Sequence, residues 1–593
     1  MNRIRDGIPA SPGIVIGPAY VLRWELPRVP HVTIGAESVD EEVERFDRAR
    51  AWAKSRVAEI KAQTEHRLGP VEAQIFEPQI LMLDDPDLVA GTVAYIRDNR
   101  ISAARAFELR MLELQSEWSR SGHPMVLDRL NDLLDIELRV VRRLLDLPDP
   151  DFALDEHDQP VILVARDLTP TITVQIDRHA IIGIATDAGT RTSHSAILAR
   201  SLKLPAVVSL GDISTTVRDG QELVLDGRAG RVLVEPTDRE KRMYRSRDVK
   251  VREWEQELML LAHLDAITPD QQPVMLRANI DLPSEAAIAR EHGAHGIGLY
   301  RTEFFVVGRS APPDEDEQYR CYREVAEVFP DHAIFIRTFD LGGDKFPLFL
   351  HMPPEENPFL GWRAIRVCLD LPEMFSTQLR ALLRATAHGD VRIMLPLIND
   401  VGEVRRTREL VEAEVESLRA EGVPFNSAYK LGVMIETPAA ALTAPELARH
   451  ADFFSIGTND LVQYTLAVDR GNARLAHLYN PFHPALLRLL EQTAVAGREA
   501  GIEVSVCGEV AGNPLAVYLL LGLGITALSV GPGSLPEVKK VIRSVPISDA
   551  RRAVQEALRA PTSDRVIEIL TEGLSQWLDL SLFSGRWNLS PVS

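Results

Sequence analysis

The histidine at position 194 lies in a short polar turn, Arg191-Thr-Ser-His-Ser195, ahead of a helical pattern. Ser193 is suited to cap that helix, because its hydroxyl can accept a hydrogen bond from a free backbone amide. A helix N-terminus favours anions through its free N–H groups and its dipole, and it disfavours a positively charged imidazole ring. The position therefore suits a neutral histidine that carries a phosphoryl group. For this motif taken alone, a histidine that only caps or packs is the alternative.

Three arginines in the second half of the chain are suited to binding an anionic ligand. Arg301 and Arg337 each end a short apolar segment, and Arg470 follows Asp469 on a later segment. A guanidinium group binds phosphate or carboxylate through two parallel hydrogen bonds. A strand-end arginine usually forms a surface ion pair of little energy, so each residue alone is weak support for a site. Three of them together predict a ligand that carries both kinds of anion.

Carboxylates, an amide and a thiol occupy equivalent positions. Glu436 ends another apolar segment, and Asn459 and Asp460 follow the next one. Glu436 and Asp460 suit Mg²⁺, which binds few protein carboxylates together with substrate oxygens. Cys507 could act as a general acid or a nucleophile, although a single cysteine is more often a packing residue. Metal, arginines and thiol suit phosphoryl transfer, in which positioning and charge neutralisation dominate.

These side chains need a scaffold that gathers strand ends, and the sequence from about residue 265 predicts one. Eight apolar segments alternate with helical patterns there, as in a (β/α)₈ TIM-type barrel. Since the chemistry of such a barrel is located where strands end and loops begin, we expect the polar side chains to surround one mouth. The predicted strands are Val274–Ile280, Gly296–Tyr300, Ile334–Arg337, Arg392–Pro396, Gly432–Glu436, Phe453–Ile456, Val504–Cys507 and Ala527–Val530.

The preceding 264 residues predict further segments of a multidomain α/β protein. Residues 1–30 have short strands, and residues 148–236 alternate strands and helices. We expect these two segments to pair into one small β/α domain that holds His194. Between them, apolar residues at steps of three and four predict an all-helical domain at 31–147. A charged, solvated linker helix at 237–264 then precedes the barrel domain at 265–593.

Composition excludes several classes of protein. The chain has 593 residues and a formal net charge of −20, which argues against nucleic-acid binding and suits solubility or a basic protein partner. Its three cysteines are far apart in sequence, so neither a disulfide framework nor a zinc site is indicated. No signal peptide or apolar span of about 20 residues is visible. We therefore expect a cytoplasmic protein without membrane contact.

Both sets of candidate residues, with their flanking sequences, resemble enzyme I of the bacterial phosphoenolpyruvate-dependent sugar phosphotransferase system. The resemblance covers essentially the whole chain, from Ala10-Ser-Pro-Gly13 to the last helices of the barrel. Chance agreement at so many places is negligible. The most specific stretches are Gly296–Phe304, Asn357–Arg366, Val433–Ala440, Asp452–Leu461, Gln463–Asn472 and Val506–Glu509.

The resemblance implies a reaction, a cofactor and partners. Members of this family transfer the phosphoryl group of phosphoenolpyruvate through a phosphohistidine to the phosphocarrier protein HPr and release pyruvate, as the first step of sugar uptake. It also implies Mg²⁺, a swivelling phosphohistidine domain, a helical HPr-binding domain, and a homodimer formed through the barrel. The matching residues are His194 for the phosphohistidine, Arg301, Arg337, Asn459, Asp460 and Arg470 for substrate, Glu436 and Asp460 for metal, Cys507 for the acid that protonates the enolate carbon, and Thr169 for orienting the histidine.

Two other functions fit parts of the sequence. A dikinase or phosphoenolpyruvate synthase shares the histidine domain and barrel, but it also needs a nucleotide-binding domain. The helical insert is too small for one and lacks a glycine-rich phosphate loop. A regulatory protein phosphorylated by another enzyme is disfavoured, because all the barrel-mouth residues are retained. Whether the acceptor belongs to a sugar-uptake or a nitrogen-regulatory branch stays open.

Two local features bear on how this chain works. Thr190 stands before the histidine where the family usually has a second glycine, and it is strained if that position needs a positive φ. Acidic residues surround the apolar stretch Ile80–Leu83 in the helical insert, which suits a charge-steered partner or an ordinary solvated helix edge. These acidic residues are Glu72, Glu77, Asp84, Asp85 and Asp87.

Overall fold

The computed structural model of the chain forms two compact units, divided between Val251 and Arg252. Within the part that it describes, no helix is both long and apolar enough to cross a membrane. The described residues are 3–22, 27–68, 76–121, 130–147, 159–168, 180–189, 196, 199–200, 202, 204–306, 309, 311–343, 347, 349–350, 355–470, 472 and 474–583.

The first unit contains an eight-stranded mixed sheet. Its strands are β1 (Ile4–Asp6), β2 (Ile8–Ser11), β3 (Ile14–Leu22), β4 (Val161–Ala165), β5 (Ile181–Thr186), β6 (Ala206–Val208), β7 (Glu222–Asp226) and β8 (Arg231–Val234). Their order is β1-β8-β7-β3-β4-β5-β6-β2. Strand β3 is parallel to β4 and antiparallel to β7, so the two sequence segments share one sheet, as expected. All five residues of β4 are buried, which explains its uninterrupted apolar sequence.

Helices fill the interval between β3 and β4. They are α1 (Val39–Leu68), α2 (Glu77–Leu83), α3 (Pro86–Asn99), α4 (Ala103–Ser121) and α5 (Leu130–Leu144), and α6 (Ile213–Thr216) follows β6. Phe46 and Phe107 pack in the helical core with their ring centroids 5.6 Å apart. Burial raises the pKa of Glu137 in that core to about 7, although a 2.6 Å hydrogen bond from Gln115 lowers it.

A helix, α7 (Asp238–Leu261), occupies the predicted linker segment, and the boundary between the two units falls within it. In the first unit, Arg247 forms a 3.2 Å ion pair with the buried carboxylate of Asp226. In the second unit, Trp254 is buried and its ring lies edge-on to Phe583, with centroids 5.2 Å apart. The helix is therefore exposed along most of its length but not on every side, because Val251, Trp254 and Leu258 are buried.

The second unit is a closed barrel of eight parallel strands, so the predicted TIM-type fold is confirmed. All eight strands lie within two residues of their predicted bounds. They are β9 (Met275–Ile280), β10 (Ile297–Arg301), β11 (Ile334–Arg337), β12 (Val391–Leu395), β13 (Lys430–Ile435), β14 (Phe453–Ile456), β15 (Glu503–Val506) and β16 (Ala527–Val530).

Helices surround the barrel and continue beyond its last strand. They are α8 (Glu285–Glu291), α9 (Glu315–Val328), α10 (Ile365–Asp370), α11 (Pro372–Ala385), α12 (Val401–Glu421), α13 (Pro438–Leu442), α14 (Ala444–Leu447), α15 (Thr458–Leu466), α16 (Pro484–Ala500), α17 (Pro514–Gly522), α18 (Leu535–Ser544), α19 (Ile547–Ala557) and α20 (Ser563–Ser575). Alternate strand residues, such as Phe454 and Ile456, belong to the large apolar core that also contains residues of these helices. The remaining strand residues face the barrel interior.

The barrel interior has an apolar half and a polar half. On β10 to β14, the interior positions hold Leu299, Phe335, Met394, Met434 and Phe453, which form one cluster with Cys507. On β14 to β16 and on β9, the alternation of buried positions places polar side chains inside instead. These are Ser455, Ser505, Ser529, Asn279 and Arg277, all buried.

Candidate active site at the barrel mouth

The barrel places the predicted catalytic strand ends on one rim. Arg301 ends β10, Arg337 ends β11, and Glu436 and Cys507 directly follow β13 and β15. Because all eight strands are parallel, their carboxyl ends meet at the same face of the barrel. The predicted gathering of polar side chains at one mouth is therefore present in the second unit.

Arg337 is neutralised by carboxylates of its own barrel. Its guanidinium lies 2.8 Å from Glu303 and 3.2 Å from Asp340, and all three side chains are buried. Burial lowers the pKa of Arg337, but the charges of the neighbouring carboxylates outweigh it and hold this pKa above its ordinary value. A permanent cation thus lies at the mouth, fixed in direction by two acceptors.

A further buried arginine, Arg363, connects two sides of the mouth. It makes two hydrogen bonds to Asp340, of 2.8 and 3.0 Å, and one of 2.8 Å to Asp460. Its remaining nitrogen donates to the Tyr464 hydroxyl at 2.9 Å. Arg363 belongs to the family-specific stretch Asn357–Arg366. The strand pattern predicted no role for it, because it lies before a helix and does not follow a strand.

Two residues with strained backbones support these side chains. Ala364, next to Arg363, has φ 56°, and Leu397 has φ 54°. Such left-handed conformations are costly for residues other than glycine. The Ala364 N–H donates to the Leu341 carbonyl at 2.8 Å, and the Leu397 N–H donates to Glu436 Oε1 at 2.6 Å. The strain thus coincides with the positions that orient Arg363 and Glu436.

Glu436 and Asp460 form an acidic pair at the mouth. Burial raises the pKa of Glu436 well above its usual value, and the charge of Asp460 raises it further. Asp460 Oδ1 is buried, yet it has no hydrogen-bond partner among the described residues. A divalent cation bound by both carboxylates would neutralise them and would give Asp460 Oδ1 a partner.

The pair therefore fits a divalent metal. Among the described residues, no cluster of three or more His, Cys, Asp and Glu side chains could hold a metal ion. A cation here would bind these two carboxylates and take its other ligands from substrate or water, which is the coordination that Mg²⁺ prefers.

Cys507 lies buried where the two halves of the barrel interior meet. Its thiol donates to the Ile456 carbonyl at 3.7 Å. Burial raises the pKa of this thiol to about 11, although the Ser455 hydroxyl lowers it. The thiol is therefore protonated at neutral pH, so it suits a general acid better than a nucleophile.

Gly508 allows the loop after Cys507 to approach α15 closely. A Cβ atom at Gly508 would lie 1.7 Å from Thr458 Oγ1 and 2.8 Å from the Thr458 nitrogen. Asn459 fixes the same contact, since its side-chain oxygen accepts a 3.2 Å hydrogen bond from the Glu509 N–H. The structure thus uses the Asn459 side-chain oxygen to join two loops of the mouth.

The other two predicted arginines are more exposed. Arg301 donates to Asp281 at 2.9 Å and is one quarter exposed, and Arg470 lies 3.8 Å from Asp460 and is one third exposed. Among the described residues, Asp281 and Asp460 are the carboxylates beside these two guanidinium groups, and they do not occupy all of the donors at short distance. They can therefore meet an incoming anion, whereas Arg337 is already bound to protein carboxylates.

Several predicted residues of the first unit cannot be placed. His194, Thr169 and Thr190 lie outside the described residues, as does Glu72 of the acidic segment. Three of the described acidic residues have intramolecular contacts: Asp84 pairs with Lys54, Glu77 pairs with Lys61, and Asp85 caps α3. Leu81 between them is 65% exposed. The segment thus presents an apolar residue beside two carboxylates that are paired with lysines.

Three family models match this chain in sequence. A PEP-utilising enzyme N-terminal domain matches residues 6–129, a mobile domain matches 157–230, and a PEP-binding domain matches 255–547. A phosphoenolpyruvate-protein phosphotransferase of Haemophilus influenzae is 40% identical over 96% of this chain and 99% of its own. The chain belongs to the phosphoenolpyruvate-protein phosphotransferase family. A member from Staphylococcus carnosus is 38% identical over 95% of this chain and 98% of its own.

The solved structures include a partial match to the same family. A solution structure described as enzyme I is 31% identical, covers 42% of this chain and 99% of its own, and has a TM-score of 0.35. The resemblance found in the sequence is therefore confirmed by the phosphotransferase relatives, which span nearly the whole chain. As a member of this family, the chain is an enzyme.

Proposed function

We propose that this phosphotransferase takes the phosphoryl group of phosphoenolpyruvate onto His194 and passes it to a histidine of an HPr-type phosphocarrier protein, with release of pyruvate. The observation that carries the proposal is the barrel mouth, where a buried cation, two acidic ligands and a protonated thiol share one rim. The names of the relatives specify the same donor and a protein acceptor.

The mouth has a separate group for each charge of phosphoenolpyruvate. Arg301 and Arg470 expose donors for phosphate or carboxylate oxygens, and Arg337 supplies a fixed positive charge nearby. Glu436 and Asp460 would hold Mg²⁺, which supplies neutralisation of the negative charge on the transferring group. We assign substrate binding to Arg301, Arg337, Asn459, Asp460 and Arg470.

Cys507 accounts for the fate of the leaving group. When the phosphoryl group leaves the enol oxygen, the three-carbon product is an enolate that must gain a proton on its terminal carbon. The buried thiol carries that proton at neutral pH and is poorly hydrated. We propose that it delivers the proton, and the thiolate then regains one from solvent.

The first experiment follows the phosphoryl group. The chain is incubated with Mg²⁺ and phosphoenolpyruvate that carries a phosphorus label, and protein-bound label is measured. We expect label on the wild-type chain and none on His194→Ala. Label that still reaches His194→Ala unchanged, or no label on the wild type, would contradict the proposal.

Two variants separate the roles at the mouth. Cys507→Ala should slow pyruvate formation and leave phosphoenolpyruvate binding largely intact, whereas Glu436→Ala should lose the Mg²⁺-dependent activity. Unchanged turnover in the first variant would remove Cys507 as the acid. Full activity in the second would remove Glu436 as a metal ligand.

The partners and domain roles are part of the same proposal. Family resemblance supports a cytoplasmic homodimer formed through the barrel, and light scattering during gel filtration would measure its mass. Transfer of label to purified carriers of the sugar-uptake and nitrogen-regulatory branches would identify the acceptor. The proposed domains are 1–30 with 148–236 for the phosphohistidine, 31–147 for carrier binding, 237–264 for the linker helix, and 265–593 for phosphoenolpyruvate binding and dimerisation.

A further inference from the structure

The polar half of the barrel interior lies directly beneath Cys507. Asn279 donates to the Cys507 carbonyl at 2.8 Å and accepts a 2.6 Å hydrogen bond from Ser529. On β15, the Ser505 hydroxyl donates to the Phe454 carbonyl at 3.3 Å. The interior serines on β15 and β16 thus each have an oxygen acceptor, which is the usual state of a buried hydroxyl.

Ser455 on β14 is different. It is 0% exposed, and its hydroxyl has no hydrogen-bond partner, sulfur included, among the described residues. Its register partner on β15 is Ser505, and Cys507, which directly follows that strand, lies two residues further along the chain. The Ser455 hydroxyl is close enough to the Cys507 thiol to change its pKa. A buried hydroxyl without a partner is costly, and a charged Cys507 sulfur would be a strong acceptor for it.

We propose that Ser455 is a positioning residue for the acid of this enzyme: its hydroxyl donates a hydrogen bond to the thiolate that proton delivery leaves behind, and so fixes the position of the Cys507 sulfur. This inference rests on the proposed role of Cys507. It assigns Ser455 no contact with phosphoenolpyruvate.

The step balances within the proposed reaction. The S–H bond of Cys507 breaks, and its proton forms a C–H bond with the terminal carbon of the enolate, using the electron pair of the C=C bond. The enolate oxygen becomes the carbonyl of pyruvate, and the sulfur keeps the negative charge. The Ser455 proton stays on its oxygen throughout, and solvent water later returns a proton to the sulfur.

The test compares Ser455→Ala with a matched control, Ser505→Ala. Both remove one buried hydroxyl from neighbouring interior strands, but the Ser505 hydroxyl already donates to the Phe454 carbonyl, whereas the Ser455 hydroxyl has no partner among the described residues. Pyruvate formation is measured in a single turnover with Mg²⁺ and phosphoenolpyruvate, in water and in heavy water. We expect Ser455→Ala to form pyruvate about tenfold more slowly, as for the loss of one hydrogen bond to a charged group, with substrate affinity within about twofold and a larger solvent isotope effect.

A double variant separates positioning from a general structural role. Because Ser455 acts through the thiol, Ser455→Ala should add no further slowing to Cys507→Ala. The inference is wrong if Ser455→Ala forms pyruvate at the wild-type rate, if Ser505→Ala is slowed equally, or if the double variant shows the full additive loss. In all three cases labelling of wild-type His194 would still stand, whereas failure of that labelling would overturn both proposals.

Discussion

Replacing Arg363 by methionine tests whether the mouth depends on charge neutralisation inside the barrel. The substitution keeps a long side chain but removes three hydrogen bonds to buried carboxylates and one to a tyrosine hydroxyl. Breaking a buried ion pair by removing one partner costs about 3–5 kcal/mol. In the variant, Asp340 would still form its ion pair with Arg337 at 3.2 Å. The ion pair left to Asp460 among the described residues would be the one with Arg470, at 3.8 Å. We therefore expect a loss near the lower limit, about 3 kcal/mol.

The loss can be read from thermal unfolding of the barrel unit. The unit spans about 330 residues, for which the unfolding entropy is about 0.7 kcal/mol per kelvin. A loss of about 3 kcal/mol therefore lowers Tm by about 4 °C. Arg419→Met is the control, because Arg419 forms an exposed pair with Glu416 on α12, and such pairs contribute about 0–1 kcal/mol. Its Tm should change by less than about 1.5 °C.

The pH dependence decides whether charge is the cause. An unpaired buried carboxylate has a raised pKa, so the folded variant binds protons more readily than the unfolded chain. The variant should then recover stability relative to wild type as the pH falls from 8 to 5. If Arg363→Met loses the same Tm at both pH values, the loss comes from packing, and the reasoning from neutralisation is refuted.

Three further predictions concern other sites. Glu137→Gln should stabilise the helical region by about 1–3 kcal/mol at pH 8 and have little effect at pH 4.5. The reason is that the pKa of Glu137 is higher in the folded than in the unfolded chain, so its ionisation destabilises the fold as the pH rises between the two values. Urea unfolding at both pH values would test this. Gly508→Ala should lower the free energy of unfolding by about 1–3 kcal/mol and slow pyruvate formation. Adding Thr458→Ala should restore part of that stability, since it removes the nearest clashing atom. A double-mutant cycle without such a rescue would contradict the contact. Mg²⁺ affinity, measured by calorimetry, should increase from pH 6 to pH 8, because Glu436 must release its proton to bind a cation; an affinity independent of pH would exclude that release.

The sequence predicted the barrel well because its signals are local. Each strand is a short apolar run that alternates with a helix, so Phe453–Ile456 and Ala527–Val530 were placed at their observed bounds. The strand-end residues followed from the same pattern. The same pattern did not predict a role for Arg363 or Ser455. Arg363 is brought to the mouth by a loop, and the role of Ser455 depends on Cys507, which follows the neighbouring strand.

The helix α7 shows the limit of composition as a guide. Its sequence is so highly charged that a solvated linker was predicted, although Val251, Trp254 and Leu258, which are buried, follow the three- and four-residue steps of a buried helix face. Partner choice is another property that strand pattern does not reveal. The acidic residues near Leu81 suggested a charged docking surface, but the structure shows lysines from α1 beside two of them.

The left-handed residues Ala364 and Leu397 imply a conflict between durability and catalysis. Each conformation costs about 1–3 kcal/mol, and glycine would remove most of that cost. Selection for heat resistance alone would therefore favour glycine at both positions. Glycine would also make the backbone that orients Arg363 and Glu436 more flexible. A thermostable variant obtained in this way should therefore have a lower turnover rate. Engineers who seek a robust version of this enzyme should leave these two positions unchanged and stabilise the outer helices instead.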